Sequence, residues 1–549
     1  MDYKHSAVNL PLLICLQSLL LLSSTPIGSS TDPVYSPGQI LVKFRSEALK
    51  PADTALEELA QRFHVQSSEP ILTIRAVLSK PTGSLGGIYR LRIPEDADVE
   101  AAANAYNRHP LVEYAQPNHL FRPHTAPGDS RYSDQNNLSV INWQSLWEGI
   151  GPAREEVIIG IIDSGVDYTH QDLRENIWIN QAEANGISGV DDDRNGYVDD
   201  IRGWDFSDAP DLPGKGDHLT RDNDPMDESG HGTRVAGIAG AAVDNLIGIA
   251  GVGIDAKIMP LRGGVTLQSN QTFLEEDDLA AAILYAVDNG ARVINMSWGA
   301  RENAKLIRDA IRYAASRDVV LVSSAGNSGQ EGLSYPAALD ETIAVGATDR
   351  NDRVTSFSSI GVPLDIVAPG SGILSTFPGN LYLRGSGTSF SSPLVAGLSS
   401  LLLSRRPELS ANQVRTTLIR ATIDTGDPGW DRSHGAGRID GTLLLQLIQS
   451  SLELPHFSIL SPASGSGADA EFQVLADLSG EPLTGFRISW GLGLSPVEWQ
   501  TLHTGDPSAP PNFTWNVSAI PDSVAILRLE ADFDGARTQE DRVRVSILK

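Results

Sequence analysis

The sequence predicts an α/β domain with a doubly wound, mostly parallel sheet, preceded by a small α+β unit and followed by a C-terminal β-sandwich. Three patterns carry that expectation. Between about residues 130 and 450, short apolar runs such as 157–162 and 293–296 alternate with helical stretches such as 277–289, the mark of a parallel sheet covered by helices. Ahead of them, residues 31–124 mix two helical segments with strand-like alternation, in a block of 11 acidic and 10 basic side chains. Beyond about 455 the helical spacing disappears, and alternating segments such as 486–490 and 543–548 are broken by Gly, Pro and Asp turns, as in an antiparallel sandwich. The expected domains are 1–30, 31–124, 125–450 and 451–549.

Taken in order, the chain opens with Lys4 and His5, an apolar run over 12–22 and small residues ending in Gly28, Ser29 and Ser30. This reads as a secretory signal peptide, since the run falls well short of the roughly 20 residues that a membrane-spanning helix needs. A secreted protein without a membrane anchor is expected. Cys15, the one cysteine, lies inside that leader, so packing and metal, not disulfides, must hold the mature chain. In the next unit 39–45 alternates as a strand, 53–63 has helical spacing, 88–93 alternates, 99–107 reads as a helix and 112–115 as a strand. Pro123, Pro127 and Gly128 mark a linker.

Acidic side chains number 69 and basic ones 42 among 549 residues, a net charge of −27, which excludes a protein that coats nucleic acid by neutralising phosphates. Hydrophobic residues at 41% and charged ones at 20% place the chain among globular proteins and not disordered ones.

Three segments of the central unit stand out: Ile161-Ile162-Asp163-Ser164-Gly165, Ser229-Gly230-His231-Gly232-Thr233 and Gly387-Thr388-Ser389-Phe390-Ser391-Ser392-Pro393. Singly each is ambiguous. An Asp closing an apolar run suits a turn or cap, a lone His suits a structural position, and Gly-Thr-Ser suits a loop entering a helix. Together, in the order Asp, His, Ser, they are specific, and over about residues 31–450 the chain resembles the subtilisin-like serine proteases, the subtilases.

The resemblance implies a subtilisin-like fold and a serine endopeptidase acting on protein or peptide substrates in extended conformation. A serine hydroxyl is a weak nucleophile, so Ser389 needs His231 to take its proton and later pass it to the leaving amine, while Asp163 orients the imidazole. Ser389, at a helix start, offers its own amide to the developing oxyanion. Ser324-Ala325-Gly326-Asn327 matches the family's oxyanion-hole segment and makes Asn327 the second donor. Ser297-Trp298-Gly299 resembles the edge that pairs with substrate backbone. Gly299 and Ala300 on one side, with Gly326 to Gly329 on the other, resemble the walls of the primary pocket, where small residues leave room for a large apolar side chain, and Ala325 beside them is a further expected substrate-binding residue.

Calcium is the expected cofactor. Residues 183–228 hold 14 acidic and 4 basic side chains, which repel one another unless cations intervene. Asp191, Asp193 and Asn195, with Gly196 for the turn, match the first half of an EF-hand loop. The second half departs, because Arg202 stands where the closing Glu belongs. A family-like insertion loop that also uses Tyr197 and closes on Asp199 or Asp200 is the better account. The resemblance implies a second site at Asp172, Asn245 and the carbonyls of Val243, Ile247 and Ile249, joined by Gln135.

The 31–124 unit resembles the family's propeptide through Pro37-Gly38-Gln39-Ile40-Leu41-Val42-Lys43 and Val112-Glu113-Tyr114-Ala115-Gln116-Pro117-Asn118. That implies a ferredoxin-like domain, an intramolecular inhibitor whose tail over 118–124 lies in the substrate groove until self-cleavage. The last unit, with Trp490 and Trp499, resembles immunoglobulin- or fibronectin-like modules. Two other readings stand beside this one. A silent subtilase fold kept as a binding module has no need of an intact triad with Asn327, and an α/β-hydrolase lipase or esterase requires a Gly-x-Ser-x-Gly elbow and a different residue order.

Overall fold

The computed structural model describes residues 35–45, 54–71, 87–120, 126–450, 456–480, 483–494, 496–533 and 538–548. The leader expected over 1–30 lies outside them. Chain contacts divide the molecule into two compact units, 1–124 and 125–549.

In the first unit β1 (Tyr35–Phe44), α1 (Thr54–Arg62), β2 (Ser67–Pro70), β3 (Ile88–Arg92), α2 (Val99–Asn107) and β4 (Val112–His119) build a four-stranded antiparallel sheet in the order β2-β3-β1-β4, the split-βαβ arrangement of ferredoxin-like folds. Asp98 starts α2 by accepting the Ala101 amide at 2.8 Å. Val99, Ala102, Ala103 and Tyr106 of that helix pack on Ile40, Val42 and Leu91 of the sheet.

The second unit contains β5 (Ile158–Asp163), α3 (His231–Gly240), β6 (Lys257–Arg262), α4 (Glu276–Asp288), β7 (Val293–Met296), α5 (Lys305–Ser316), β8 (Val320–Ser324), β9 (Ile343–Thr348), β10 (Ile366–Pro369), α6 (Thr388–Arg405) and α7 (Ala411–Arg420). Its main sheet runs Thr422–Ile423, Arg438–Ile439, β10, β9, β8, β7, β5, β6, Trp204–Asp205. Neighbours are parallel except for the outermost pair, Thr422–Ile423 with Arg438–Ile439, so the sheet is mixed.

Strand side chains sort by alternation. Ile159, Ile161, Val293, Val320 and Val322 meet Val235, Ile238, Leu394, Leu398 and Leu401 of α3 and α6. Ile162, Ile294 and Leu321 meet Leu279, Ile283, Ile307 and Ile311 of α4 and α5 on the other face. Every residue of α6 is buried. From β5 the chain adds β6 on one side and then returns to add β7 on the other, so the crevice beyond the carboxyl ends of β5 and β7 is a topological switch point, where sheets of this kind bind ligands.

The C-terminal region is β-rich. Strands His456–Ser461, Glu471–Ser479 and Asn512–Asn516 form one sheet; Ser466–Ala468, Gln539–Ile547, Ser523–Phe533, Leu483–Leu492 and Gln500–Gly505 form another. A single apolar core draws on both, with Phe457, Phe472, Val474 and Trp515 against Ile488, Trp490, Leu527 and Val545. No described helix is long and apolar enough to cross a membrane.

Candidate active site

Asp163 ends β5, His231 begins α3 and Ser389 is the second residue of α6. A Cβ on Gly232 would lie 2.0 Å from the Gly165 carbonyl oxygen, so only glycine lets the first turn of α3 approach the end of β5 this closely. The approach brings His231 Nδ1 to 2.7 Å from Asp163 Oδ1, which also accepts the Ser164 amide at 2.8 Å. The bond favours the tautomer with its proton on Nδ1, which leaves Nε2 with a lone pair able to accept a proton. Burial works against the imidazolium, but the charge and hydrogen bond of Asp163, aided by the charge of Asp227, outweigh burial and the opposing Arg234 and raise the His231 pKa above its ordinary value.

Asp227 was not singled out from the sequence. Its Oδ1 accepts from Ser164 Oγ at 2.9 Å and from the Ser229 and Gly230 amides at 2.9 and 2.7 Å; its Oδ2 accepts from the Thr233 amide and hydroxyl at 2.9 and 2.6 Å. Ser164 Oγ accepts in turn from the Gly232 amide at 3.0 Å. One buried carboxylate thereby ties the start of α3 to the end of β5. The available signal was an Asp just ahead of a helix start, a common device for satisfying first-turn amides.

The Ser389 hydroxyl donates to the Ser297 carbonyl oxygen at 3.0 Å and not to His231; catalytic hydrogen bonds often tighten only when substrate binds. Ser297 Oγ donates to the Ser389 carbonyl at 3.0 Å and accepts from Asn295 Nδ2 at 2.9 Å, so this side chain bolts the end of β7 to α6. Asn327 Oδ1 accepts the Thr388 amide and hydroxyl at 2.9 and 3.1 Å. Its Nδ2 has no partner among the described residues and remains a free donor, beside first-turn amides of α6 that have no intrahelical acceptor.

Trp298 Nε1 donates to the Ile162 carbonyl at 3.0 Å. Its ring, with Gly299, Ala300, Leu279, Ile307 and Leu339, bounds a mostly apolar pocket of about 490 Å³ that Glu276, Glu302 and Asn303 also line. The walls from α4 and α5 escaped the sequence reading because they lie close to Trp298 only in the fold. Ala300 pairs backbone to backbone with Tyr335 at 3.0 and 2.8 Å. The Ala325 side chain packs in a small core with Leu333, Ala337 and Val367, whereas Gly326, at φ +109°, has Ser334 Oγ 2.4 Å from the place a Cβ would take.

Among the described residues three clusters of carboxylates are tight enough to hold a metal: Glu183, Asp193 and Asp200; Asp205, Asp217 and Asp222; and Asp208, Asp277 and Asp278. Arg262 pairs with Asp205 at 2.9 Å in the second, and Arg221 with Asp278 at 2.8 Å in the third. Among the described residues no Arg or Lys pairs with the first. There Asp200 accepts from Asn180 and Asn195, both at 2.9 Å, and from the Tyr285 hydroxyl. Asp191 accepts the Asn195 and Gly196 amides at 3.1 and 2.9 Å, and Asp199 accepts the Gly189 amide at 2.7 Å. The Tyr197 ring packs on Trp204, Phe206 and Tyr285. Glu183 and Asn180 join from earlier in the chain. At the other expected site, buried Asp172 accepts from Asn245 Nδ2 at 2.9 Å and the Ile249 amide at 2.8 Å, and Asn245 Oδ1 accepts the Ile247 amide. Val243 packs at the edge of the core, and Gln135 pairs with both backbone groups of Ala250 at 2.8 Å.

The subtilase family model matches residues 154–437, just over half of the chain, and the protein belongs to the subtilase family, as a serine-type endopeptidase. The fervidolysin N-terminal prodomain model matches residues 23–118, which makes the first unit a prodomain. A thermophilic serine proteinase of Bacillus sp. (strain AK1) is 40% identical over 318 residues, covering 56% of this chain and 67% of that one. Thermitase of Thermoactinomyces vulgaris is 35% identical over 260 residues, 47% of this chain and 78% of its own. The halolysin-like extracellular serine protease Nep of Natrialba magadii is 32% identical over 369 residues, 65% of this chain and 60% of its own.

Proposed function

We propose that this subtilase is a secreted proenzyme that hydrolyses peptide bonds through Asp163, His231 and Ser389 by way of an acyl-enzyme. The observation that carries the reading is the 2.7 Å bond from His231 to Asp163 at the switch-point crevice, with Ser389 on the facing helix start. Ser389 Oγ attacks the scissile carbonyl carbon as His231 Nε2 takes its proton. The oxyanion accepts from the Ser389 amide and Asn327 Nδ2, and the tetrahedral intermediate collapses when His231 gives that proton to the leaving amine. A water deprotonated by His231 then releases the acyl group from Ser389 Oγ. Substrate lies extended along Ser297 to Gly299, and the mostly apolar pocket beside Trp298 favours a large apolar side chain within a broad specificity.

The prodomain inhibits its own enzyme through the tail over 118–124, of which 121–124 lie outside the described residues, and self-cleavage near His124 removes it. The leader over 1–30 fits export, as does the extracellular character named for the Nep relative. The two C-terminal sheets around one core support a β-sandwich of immunoglobulin or fibronectin type.

Calcium is the fitting metal. The groups available around Glu183, Asp193 and Asp200 are hard oxygen donors, and buried Asp172 has no basic partner among the described residues; both conditions suit calcium. Asp191, Asp193, Asn195, Asp199 and Asp200 with Glu183 would hold one ion, and Asp172, Asn245 and nearby carbonyls a second. Its contribution is structural charge neutralisation.

The test is the intact mass of protein expressed without residues 1–30 in calcium buffer, wild type beside Ser389→Ala. Wild type is expected to lose about 94 residues, the length of 31–124, and the variant to keep them. Retention by both, without hydrolysis of casein, overturns the reading.

A further inference from the structure

Away from the groove, a cleft of about 200 Å³ lies where α5, the segment 332–341 and the Val362-Pro363 turn meet the C-terminal region. Its walls carry three guanidinium groups, Arg308 and Arg312 from α5 and Arg544 from the last strand, and two carboxylates, Asp340 and Glu341. Their pairing is uneven. Glu341 meets Arg312 at 3.1 Å, and Asp340 accepts the Ser464 amide with Arg415 as the nearby positive charge. Among the described residues the guanidinium groups of Arg308 and Arg544 make no ion pair and no hydrogen bond, and Arg308 Nε is shut from solvent without an acceptor.

Leaving a buried donor of a charged group unsatisfied is expensive, and like charges four apart on one helix, as Arg308 and Arg312 are, repel. Asp340 and Glu341 line the same cleft, yet among the described residues neither pairs with Arg308 or Arg544. Arg544 is also held in place. Its amide donates to Ser464 Oγ at 3.2 Å, and its carbonyl accepts the Gly465 amide at 2.7 Å, fixing the last strand against the loop that walls the cleft.

We propose that this cleft binds a tetrahedral oxyanion of the sulfate or phosphate class between Arg308 and Arg544, with Arg312 at its edge, and that the anion clamps the C-terminal region to the catalytic unit. Guanidinium forks suit such anions because their paired N–H groups match two oxygens at once. The volume is several times the roughly 30 Å³ that one water occupies, room for the anion and a few bridging waters.

The test uses the full-length Ser389→Ala chain, which does not digest itself, titrated with millimolar sodium sulfate in calcium buffer, with sodium chloride balancing ionic strength. Calorimetry is expected to give one saturable site, and the melting temperature is expected to rise with the same concentration dependence. Arg308→Gln and Arg544→Gln should each weaken binding at least tenfold. Should Arg544→Gln fail to fold, Arg308→Gln, which breaks no ion pair or side-chain hydrogen bond among the described residues, carries the test alone. Absence of saturable heat, unchanged affinity in a folded variant, or a melting shift that chloride reproduces overturns the proposal.

Discussion

At the scale of single residues, the groove depends on groups whose tasks separate cleanly by experiment. Asn327 holds Thr388 with its oxygen and keeps its nitrogen free, so Asn327→Ala should lower kcat on the order of 100- to 1000-fold, a magnitude known from subtilisin itself, with KM little changed. His231 works as a base only when neutral. With its pKa held above the ordinary 6.5, kcat/KM should fall as pH drops through that raised value. Asp227→Asn removes one of the charges that favour the imidazolium, so the acid limb of the profile should move to lower pH; a limb that stays in place would make Asp227 a purely structural anchor. The segments that carry Asp163, His231, Ser389 and Asn327 stood out in the sequence because each is a contiguous motif, and the structure sets Asp163 against His231 and Asn327 against the start of α6. Glu183 and Asn180 did not stand out, since their partners are assembled by chain reversals that local patterns do not encode, and the local signal of Asp227, an Asp ahead of a helix start, is too common to single it out.

Among the elements, those with strong periodicity were readable almost to the residue. The helix read over 99–107 is α2 itself, and the run 293–296 is β7, because sidedness and alternation are local properties of the chain. The walls of the pocket beside Trp298 were not readable, because α4 and α5 come together only through the sheet. Asp340, between β8 and β9, shows an element-level effect. Burial pushes its carboxyl up to about 7, against the Ser464 amide and with Asp541 adding to the rise. An unfolded Asp titrates near 4, so the folded chain binds the extra proton between about pH 4 and 7. Stability therefore falls as pH rises through that window and is level above it. In the Ser389→Ala background, Asp340→Asn should raise the urea midpoint at pH 8 and leave it little changed at pH 4, as unfolding curves at the two pH values will show.

For the whole molecule, the acidity that excluded a nucleic-acid partner becomes a question of which carboxylates have cations. Composition told of crowding over 183–228, but not that Arg262 pairs into one carboxylate cluster and Arg221 into another, while among the described residues the cluster of Glu183, Asp193 and Asp200 has no Arg or Lys partner. Binding of calcium to the folded chain alone adds roughly 4 kcal/mol at a thousand times Kd. Chelation should accordingly lower the melting temperature of the Ser389→Ala chain and expose the active enzyme to self-digestion, read by calorimetry and by gel. An unchanged melting curve in excess chelator would remove calcium from the account. The burial of α6 along its full length bears on how such an enzyme ages. Ser389, the proposed nucleophile, rides on a segment with no solvated face from which to fray, so backbone amides beyond its first turn should exchange their protons only in the rarest, most global openings. Loss of the Ser389 geometry and collapse of the fold are then a single event, and working lifetime is set by the unfolding barrier itself.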